Sequence, residues 1–261
     1  MKVFSHSLQG KRPTQEDNHA CMLNLDSSNE SYNSINLFAV FDGHGGKKVS
    51  KYLKNKLPLY FINKTEKNMF KKNSTLTKYV TKVYNLLQDD LKENHPRAAE
   101  YSGSTACVGI QTESNLWIIN VGDSRAILCN SNGEAVQLSV DHKPNDPDEK
   151  KRIKQLGGKI EFDGYEYRIK SLSLSRAFGD IDCSPYVTHL PNIYKYKINS
   201  KDKFLILGCD GLYDSVNNQQ AVEYIRDLQF KNFKGNYAKM LAEHALSKGS
   251  MDNITVIIYF F

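Results

Sequence analysis

The chain has 261 residues, 40% of them apolar and 25% charged, and its 35 Lys and Arg outnumber 29 Asp and Glu for a net charge of +6. Those proportions are ordinary for a soluble globular chain, and this length allows a single domain that buries roughly 75% of the unfolded surface. No apolar run approaches the ~18 residues needed to span a membrane, the opening Met1-Lys2-Val3-Phe4-Ser5-His6 lacks the apolar stretch of a signal peptide, and Lys2 excludes a myristoylation signal.

In chain order, the first loop falls at Asp26–Ser34, rich in Asn and Ser, and the first strand at Leu37–Phe41. A helix follows Gly45-Gly46 over Lys47–Tyr60, then a second polar loop over Asn63–Thr75. Leu76, Val80, Val83, Leu87 and Leu91 keep helical spacing across Thr75–Glu93. Strands are expected at Ala106–Ile110, Leu116–Val121 and Ala126–Cys129. Asp146-Pro147 opens a helix to about Leu156, with Asp as cap and Pro in the first turn, and Gly157-Gly158 closes it. A strand at Phe204–Leu207 and a helix near Asn218 come next. The stripe Tyr237, Met240, Leu241, His244 and Ala245 marks the last helix, stopped at Gly249, before the strand Ile254–Phe260. Most links between strands are too short for parallel crossovers, so the expected class is α+β with largely antiparallel sheets in one domain over residues 1–261.

The positive charge is uneven. Residues 47–97 carry 13 Lys and Arg against 4 acids, a local +9. This basic helical face is read as solvated surface or as a docking surface for acidic protein partners. No nucleic-acid motif accompanies it, so nucleic acid is not an expected partner, nor is a membrane. Cys21, Cys107, Cys129, Cys183 and Cys209 are odd in number and irregularly spaced. Neither a disulfide framework nor a zinc site is expected, and a reducing compartment, cytoplasm or nucleus, fits best.

The pattern richest in chemistry is a repeated grammar of strand plus aspartate. Leu37–Phe41 runs into Asp42-Gly43, Phe204–Cys209 into Asp210-Gly211, and Leu116–Val121 into Gly122-Asp123, while Asp252 precedes the final strand. Each aspartate alone reads as a turn or cap residue. If the strand ends converge, carboxylates so close cannot all stay ionised without a positive charge among them. An all-carboxylate set selects hard cations, Mg²⁺ or Mn²⁺.

The neighbours of these aspartates resemble the PP2C (PPM) family of metal-dependent Ser/Thr protein phosphatases. Arg12-Pro13-Thr14-Gln15-Glu16-Asp17 is similar to the family's opening motif, and Asp42-Gly43-His44-Gly45-Gly46 to its signature. Ser102–Ala106, Asn120–Ala126, Asp141–Pro144, Leu174–Asp180, Cys209–Asp214 and Asp252-Asn253 follow in the family's order. The resemblance implies two stacked antiparallel β-sheets flanked by pairs of α-helices. It implies two Mg²⁺ or Mn²⁺ ions per subunit and phosphoprotein substrates, with attack by a metal-bridging hydroxide and no covalent phosphoenzyme. By position, Asp42 bridges both ions and the Gly43 carbonyl adds a ligand. Asp210 and Asp252 complete one ion and Glu16 the other. Asp17 holds metal-bound water, and Arg12 binds the phosphate. His44 is the candidate acid for the leaving alkoxide, against a supporting hydrogen-bond role. Cys209 is expected to pack rather than to attack.

Three further residues carry open readings. Asp123 and Asp214 form a third, weak cation site with Asp210, or else cap a turn and start the helix near Asn218. Arg176 contacts substrate or flap, or makes a structural ion pair. Tyr213 stands where the family commonly has Trp, and His189, Leu190 and Asn192 replace the usual Pro, Glu and Glu after the flap. A pseudophosphatase, the same fold kept only for binding, would be expected to have lost ligands, yet Glu16, Asp42, Asp210 and Asp252 are all present. A two-metal nuclease would want a basic groove beside the acids, and the basic excess maps instead to residues 47–97.

Overall fold

The structure is a computed structural model that describes residues 2–25, 35–62, 69–112 and 114–261. Its frame is two five-stranded sheets. Sheet one orders its strands Lys2–Leu8, Ile254–Phe260, Phe204–Gly208, Arg125–Cys129, Ala135–Gln137. Sheet two orders them Asn192–Lys197, Asn115–Val121, Ala106–Gln111, Asn36–Phe41, Asn18–Met22. Every pairing within both sheets is antiparallel.

Alternation along the strands builds three layers of core. In Asn36–Phe41, Leu37, Ala39 and Phe41 face the helices Lys48–Lys56 and Asn73–Asn94, while Phe38 and Val40 face sheet one. In Phe204–Gly208, Phe204 and Ile206 face the helices Asn218–Phe230 and Tyr237–Ser247, while Leu205 and Leu207 face sheet two. Phe38 and Tyr259 meet between the sheets at a ring-centroid distance of 4.5 Å. The result is the expected sandwich of two antiparallel sheets between helix pairs. A fourth, smaller core of Ile153, Ile169, Leu174, Ala177, Cys183 and Val187 holds the flap segment that follows Pro147–Gln155.

The expected helices form with adjusted ends. The first stops at Lys56, because Pro58 has no amide hydrogen to donate, and a short helical turn resumes at Leu59–Ile62. Asp146 caps Pro147–Gln155 by accepting from the Asp148 and Glu149 amides. The loop expected at Asp26–Ser34 lies outside the described residues. So does 63–68 of the second loop, whose last residues, 73–75, instead open the 73–94 helix.

Candidate active site

One end of the sandwich gathers the aspartates. Asp42 leaves sheet two, and its backbone exchanges bonds with Thr105, from the Asp42 amide to Thr105 Oγ1 at 3.1 Å and from the Thr105 amide to the Asp42 carbonyl at 2.9 Å. Asp123 leaves the next strand but one of that sheet, across Ala106–Gln111, while Asp210 and Asp252 come from adjacent strands of sheet one. They meet around a cavity of about 400 Å³ whose lining includes Arg12, Glu16, Asp42, Gly43, His44, Asp123, Asp210 and Asp252. A wall of Arg168 and Ser171–Leu174 from the flap completes it.

Local architecture sets each side chain. Asn253, buried below the cavity, holds the 9–16 loop: its amide donates to the Gln9 and Thr14 carbonyls, and its Oδ1 accepts from the Glu16 amide at 2.9 Å. Glu16 is then fixed by the Gly46 amide, which donates to Oε2 at 2.8 Å. Gly43 must lack a side chain, because a Cβ there would collide with the Glu16 carbonyl and Ser50. Arg12 stands at the rim, 56% exposed, and donates to Asp252 at 2.5 Å. Asp17 sits beneath, taking a 2.7 Å bond from Thr255, while its Oδ1 is buried without a partner.

Crowding governs the electrostatics. Burial, with the charges of Asp210, Asp17, Asp123 and Asp252, drives Asp42 well above the usual carboxylate range. Burial, with Asp123 and Asp214, pushes Asp210 to about 8, although Lys143 opposes it. Asp17 rises to about 6, chiefly by burial. Lys143 would be lowered by burial, but Asp123 and Asp210 hold its ammonium above the ordinary value. Carboxylates that want protons in this way form a site matched to a cation that would replace those protons. The orphaned Asp17 Oδ1 points the same way.

Asp17, Asp42 and Cys209 offer ligand atoms within 4.8 Å of one another. The Cys209 thiol is the poor member: burial raises it, and its sulfur already bonds the Asn253 carbonyl and the Thr255 amide. It packs, and an all-oxygen set is what remains for hard cations.

Asp214 does not line the cavity. It is exposed, follows the helical turn Asp210–Tyr213, and adds its charge to that of Asp210. It does not start the next helix, which Asn217 caps through a reciprocal bond with Gln220. Asp123 is 3% exposed and pairs with Lys143 at 2.5 Å. Of the two roles open to Arg176, the ion pair is the one on view. Its guanidinium donates to Glu149, to the Leu190 carbonyl and to Asn192, and it lies outside the cavity lining. Lys143, Asn253, Arg168 and Asp180 were not singled out by sequence reasoning. The motifs containing Lys143, Asn253 and Asp180 were the available signal.

His44 lines the cavity and bonds Asp180 at 2.7 Å. Burial alone would lower its imidazole, but the bond and charge of Asp180, followed by Asp123 and Asp210, raise it above the ordinary histidine value.

The sandwich thus carries at one end an open cavity lined by a cluster of carboxylates, a site whose electrostatics match a bound cation. The family model described as protein phosphatase 2C matches residues 1–254, and the chain belongs to that family of serine/threonine phosphatases. A probable protein phosphatase 2C of rice, described as mitochondrial, is 37% identical over the whole chain, which spans 68% of that protein. Bovine protein phosphatase 1L is 34% identical over 99% of the chain and 72% of its own length. Among solved structures, a sex-determining protein of C. elegans matches with a TM-score of 0.87 at 27% identity, over 99% of this chain and 64% of that one. A serine-threonine phosphatase 2C from Toxoplasma gondii has the same fold, with a TM-score of 0.87 at 24% identity over 99% of this chain and 94% of that one. No helix among the described residues is long and apolar enough to cross a membrane.

Proposed function

We propose that residues 1–261 form one catalytic domain that hydrolyses phosphoserine and phosphothreonine in proteins with the help of divalent cations. The observation that carries this reading is the convergence of Asp42, Asp123, Asp210 and Asp252 on one open cavity, with Arg12 and His44 at its edge. Glu16, Asp42, Asp210, Asp252 and the Gly43 carbonyl are the groups that would hold two Mg²⁺ or Mn²⁺ ions, and Asp123 with Asp214 a third, weaker one. Such cations, when bound, acidify water and neutralise phosphoryl charge.

The chain's own residues supply the rest. Arg12, exposed and tethered among the described residues to Asp252 alone, exchanges that carboxylate for phosphoryl oxygens, which its planar fork suits. Asp17 Oδ1 orients the attacking water. His44 gives a proton to the leaving serine or threonine oxygen. A phosphoenzyme is not required, and the buried Cys209 thiol, raised well above its ordinary value, is no nucleophile. All five cysteines are free, in keeping with a reducing cytoplasm or nucleus.

The test is hydrolysis of a phosphothreonine peptide. Activity should vanish with EDTA and return with Mn²⁺; full activity after exhaustive metal removal would overturn the proposal.

A further inference from the structure

We propose that Asp180 is the positioning residue of the proton donor: it takes His44 Nε2 and leaves Nδ1 as the nitrogen that serves the cavity. The inference rests on the reading of His44 given above and adds a residue and a tautomer to it.

A small sheet exists for this contact. Its three strands are Phe178–Gly179, Gly103–Ser104 and Gly43–His44, in that order. Gly103 lies opposite His44 on one side and Gly179 on the other. His44 and Asp180 therefore approach each other across Gly103. A Cβ at Gly103 would collide with both Asp180 Oδ2 and His44 Nε2, so only glycine leaves the space where the pair meets.

The Asp180 end is held from several directions. Its amide donates to the Ser102 carbonyl at 3.1 Å, and its carbonyl accepts from the Cys183 amide at 2.9 Å. Gln88, buried on the 73–94 helix, grips Gly179 at both its amide and its carbonyl, at 2.9 and 3.0 Å. Asp180 itself adopts φ 46°, ψ 42°, a left-handed conformation that aspartate visits more readily than most residues but at a cost. Strain retained under such support marks a position whose side-chain direction matters.

Asp180 is 6% exposed and is absent from the cavity lining, whereas His44 is 28% exposed and lines it. The carboxylate therefore acts through the ring. A carboxylate accepts, so Nε2 carries the hydrogen of that bond. In the reaction, a water oxygen forms the new bond to phosphorus and gives its proton to solvent, while the bond to the leaving oxygen breaks with its electron pair going to that oxygen, which takes the Nδ1 proton of the doubly protonated ring. Asp180 keeps its bond to Nε2–H throughout and is not protonated, and water returns the proton to Nδ1.

The experiment compares metal-loaded wild type, Asp180→Asn, His44→Ala and the double variant on two substrates. One is a phosphothreonine peptide, whose alkoxide needs a proton to leave. The other is p-nitrophenyl phosphate, whose leaving group needs far less. Asp180→Asn is expected to slow the peptide by about 10–100-fold, within the loss a general acid accounts for, and the aryl phosphate by only ~3-fold or less. On the His44→Ala background it should add nothing. Equal slowing of both substrates, or a further loss on that background, overturns the proposal. A measurement on wild type stands independently of folding in the variants and of any activity. Nitrogen NMR of the His44 ring should find the neutral form protonated at Nε2, and protonation at Nδ1 overturns the assignment. Wild type inert towards both substrates would defeat the phosphatase reading, while the NMR result would still decide the Asp180 contact.

Discussion

The ammonium of Lys143 reaches Asp123 at 2.5 Å, and Asp210 and Asp214 feel the same charge. Glu166 of the flap lies 3.9 Å from it on another side. Lys143 thus stands among the carboxylates that a third cation would use, and the two compete for Asp123. Replacing Lys143 with Met removes the resident charge and leaves Asp123 short of a partner. The half-saturating Mn²⁺ concentration for the weak site should fall several-fold. Asp123→Ala should move it upward and lower the maximal rate. Equilibrium Mn²⁺ binding, followed by the signal of free Mn²⁺, separates these effects from turnover. Identical isotherms for wild type and both variants would show that no third cation engages Asp123. None of this was legible from residue identity alone, because the sequence places Lys143 twenty residues from Asp123 with no periodic relation between them.

At the scale of elements, Glu149 joins the Pro147–Gln155 helix to the segment that follows the flap. Its carboxylate, 3% exposed, accepts from Arg152, Arg176 and Ser175. Burial alone would raise Glu149, but those bonds hold it at about 2. The folded value is depressed from the ordinary glutamate value of 4.5, so the stabilisation is fully present above about pH 4.5. It is lost as pH falls from there towards 2. Glu149→Gln removes the carboxylate shared by two partly buried guanidinium groups, which keep their other partners, and should cost about 1–3 kcal/mol near neutrality. The gap in melting temperature between wild type and variant should narrow below pH 4.5; a gap independent of pH would show that the charge is not what matters.

The basic helices carry another expectation at this scale. Lys48, Lys51, Lys56 and His95 line a groove floored by Tyr52, Leu91 and Ala98, and among the described residues these lysines make no ion pair. If the groove docks acidic segments of substrates, reversing Lys48 and Lys51 to Glu should raise KM for acidic phosphopeptides several-fold with kcat unchanged. An unchanged KM leaves a solvated face.

The elements found from sequence and those missed divide on burial. Leu37–Phe41 and Phe204–Leu207 announce themselves because both faces are covered, which demands an unbroken apolar run. Lys2–Leu8, Asn18–Met22 and Asn192–Lys197 went unseen. They are edge strands, half-exposed and mixed in character, and partner strands define them more than their own residues do. The aspartates were legible because strand ends carry them next to glycine. Asp180 and Asn253 were not assigned roles, because what they hold lies at the far side of a sheet pairing or at the other end of the chain.

Across the whole molecule, folding brings aspartates from both sheets to one end of the sandwich, where burial and mutual repulsion raise Asp42, Asp17 and Asp210. Assembling that cluster costs the apo fold stability, and a cation that binds only the folded state repays it by mass action. One site filled at a hundred times its dissociation constant contributes about 2.7 kcal/mol. For a chain of this size that is a shift in melting temperature on the order of 5–10 °C. Mn²⁺ should therefore raise the melting temperature, and EDTA should return it to the apo value. Asp210→Asn provides the decisive contrast. It puts a neutral side chain of the same shape where the apo fold must hold a carboxyl raised to about 8 among Asp42, Asp123 and Asp214, so near neutrality the apo protein should melt at a higher temperature than apo wild type. The same change removes a proposed ligand, so the shift produced by Mn²⁺ should shrink, and phosphopeptide turnover should fall by ~10²-fold or more, the scale of losing one charge-stabilising group. A cluster that is merely a set of turn residues predicts the opposite: lower apo stability, no response to Mn²⁺ in either protein, and turnover unaffected by the substitution.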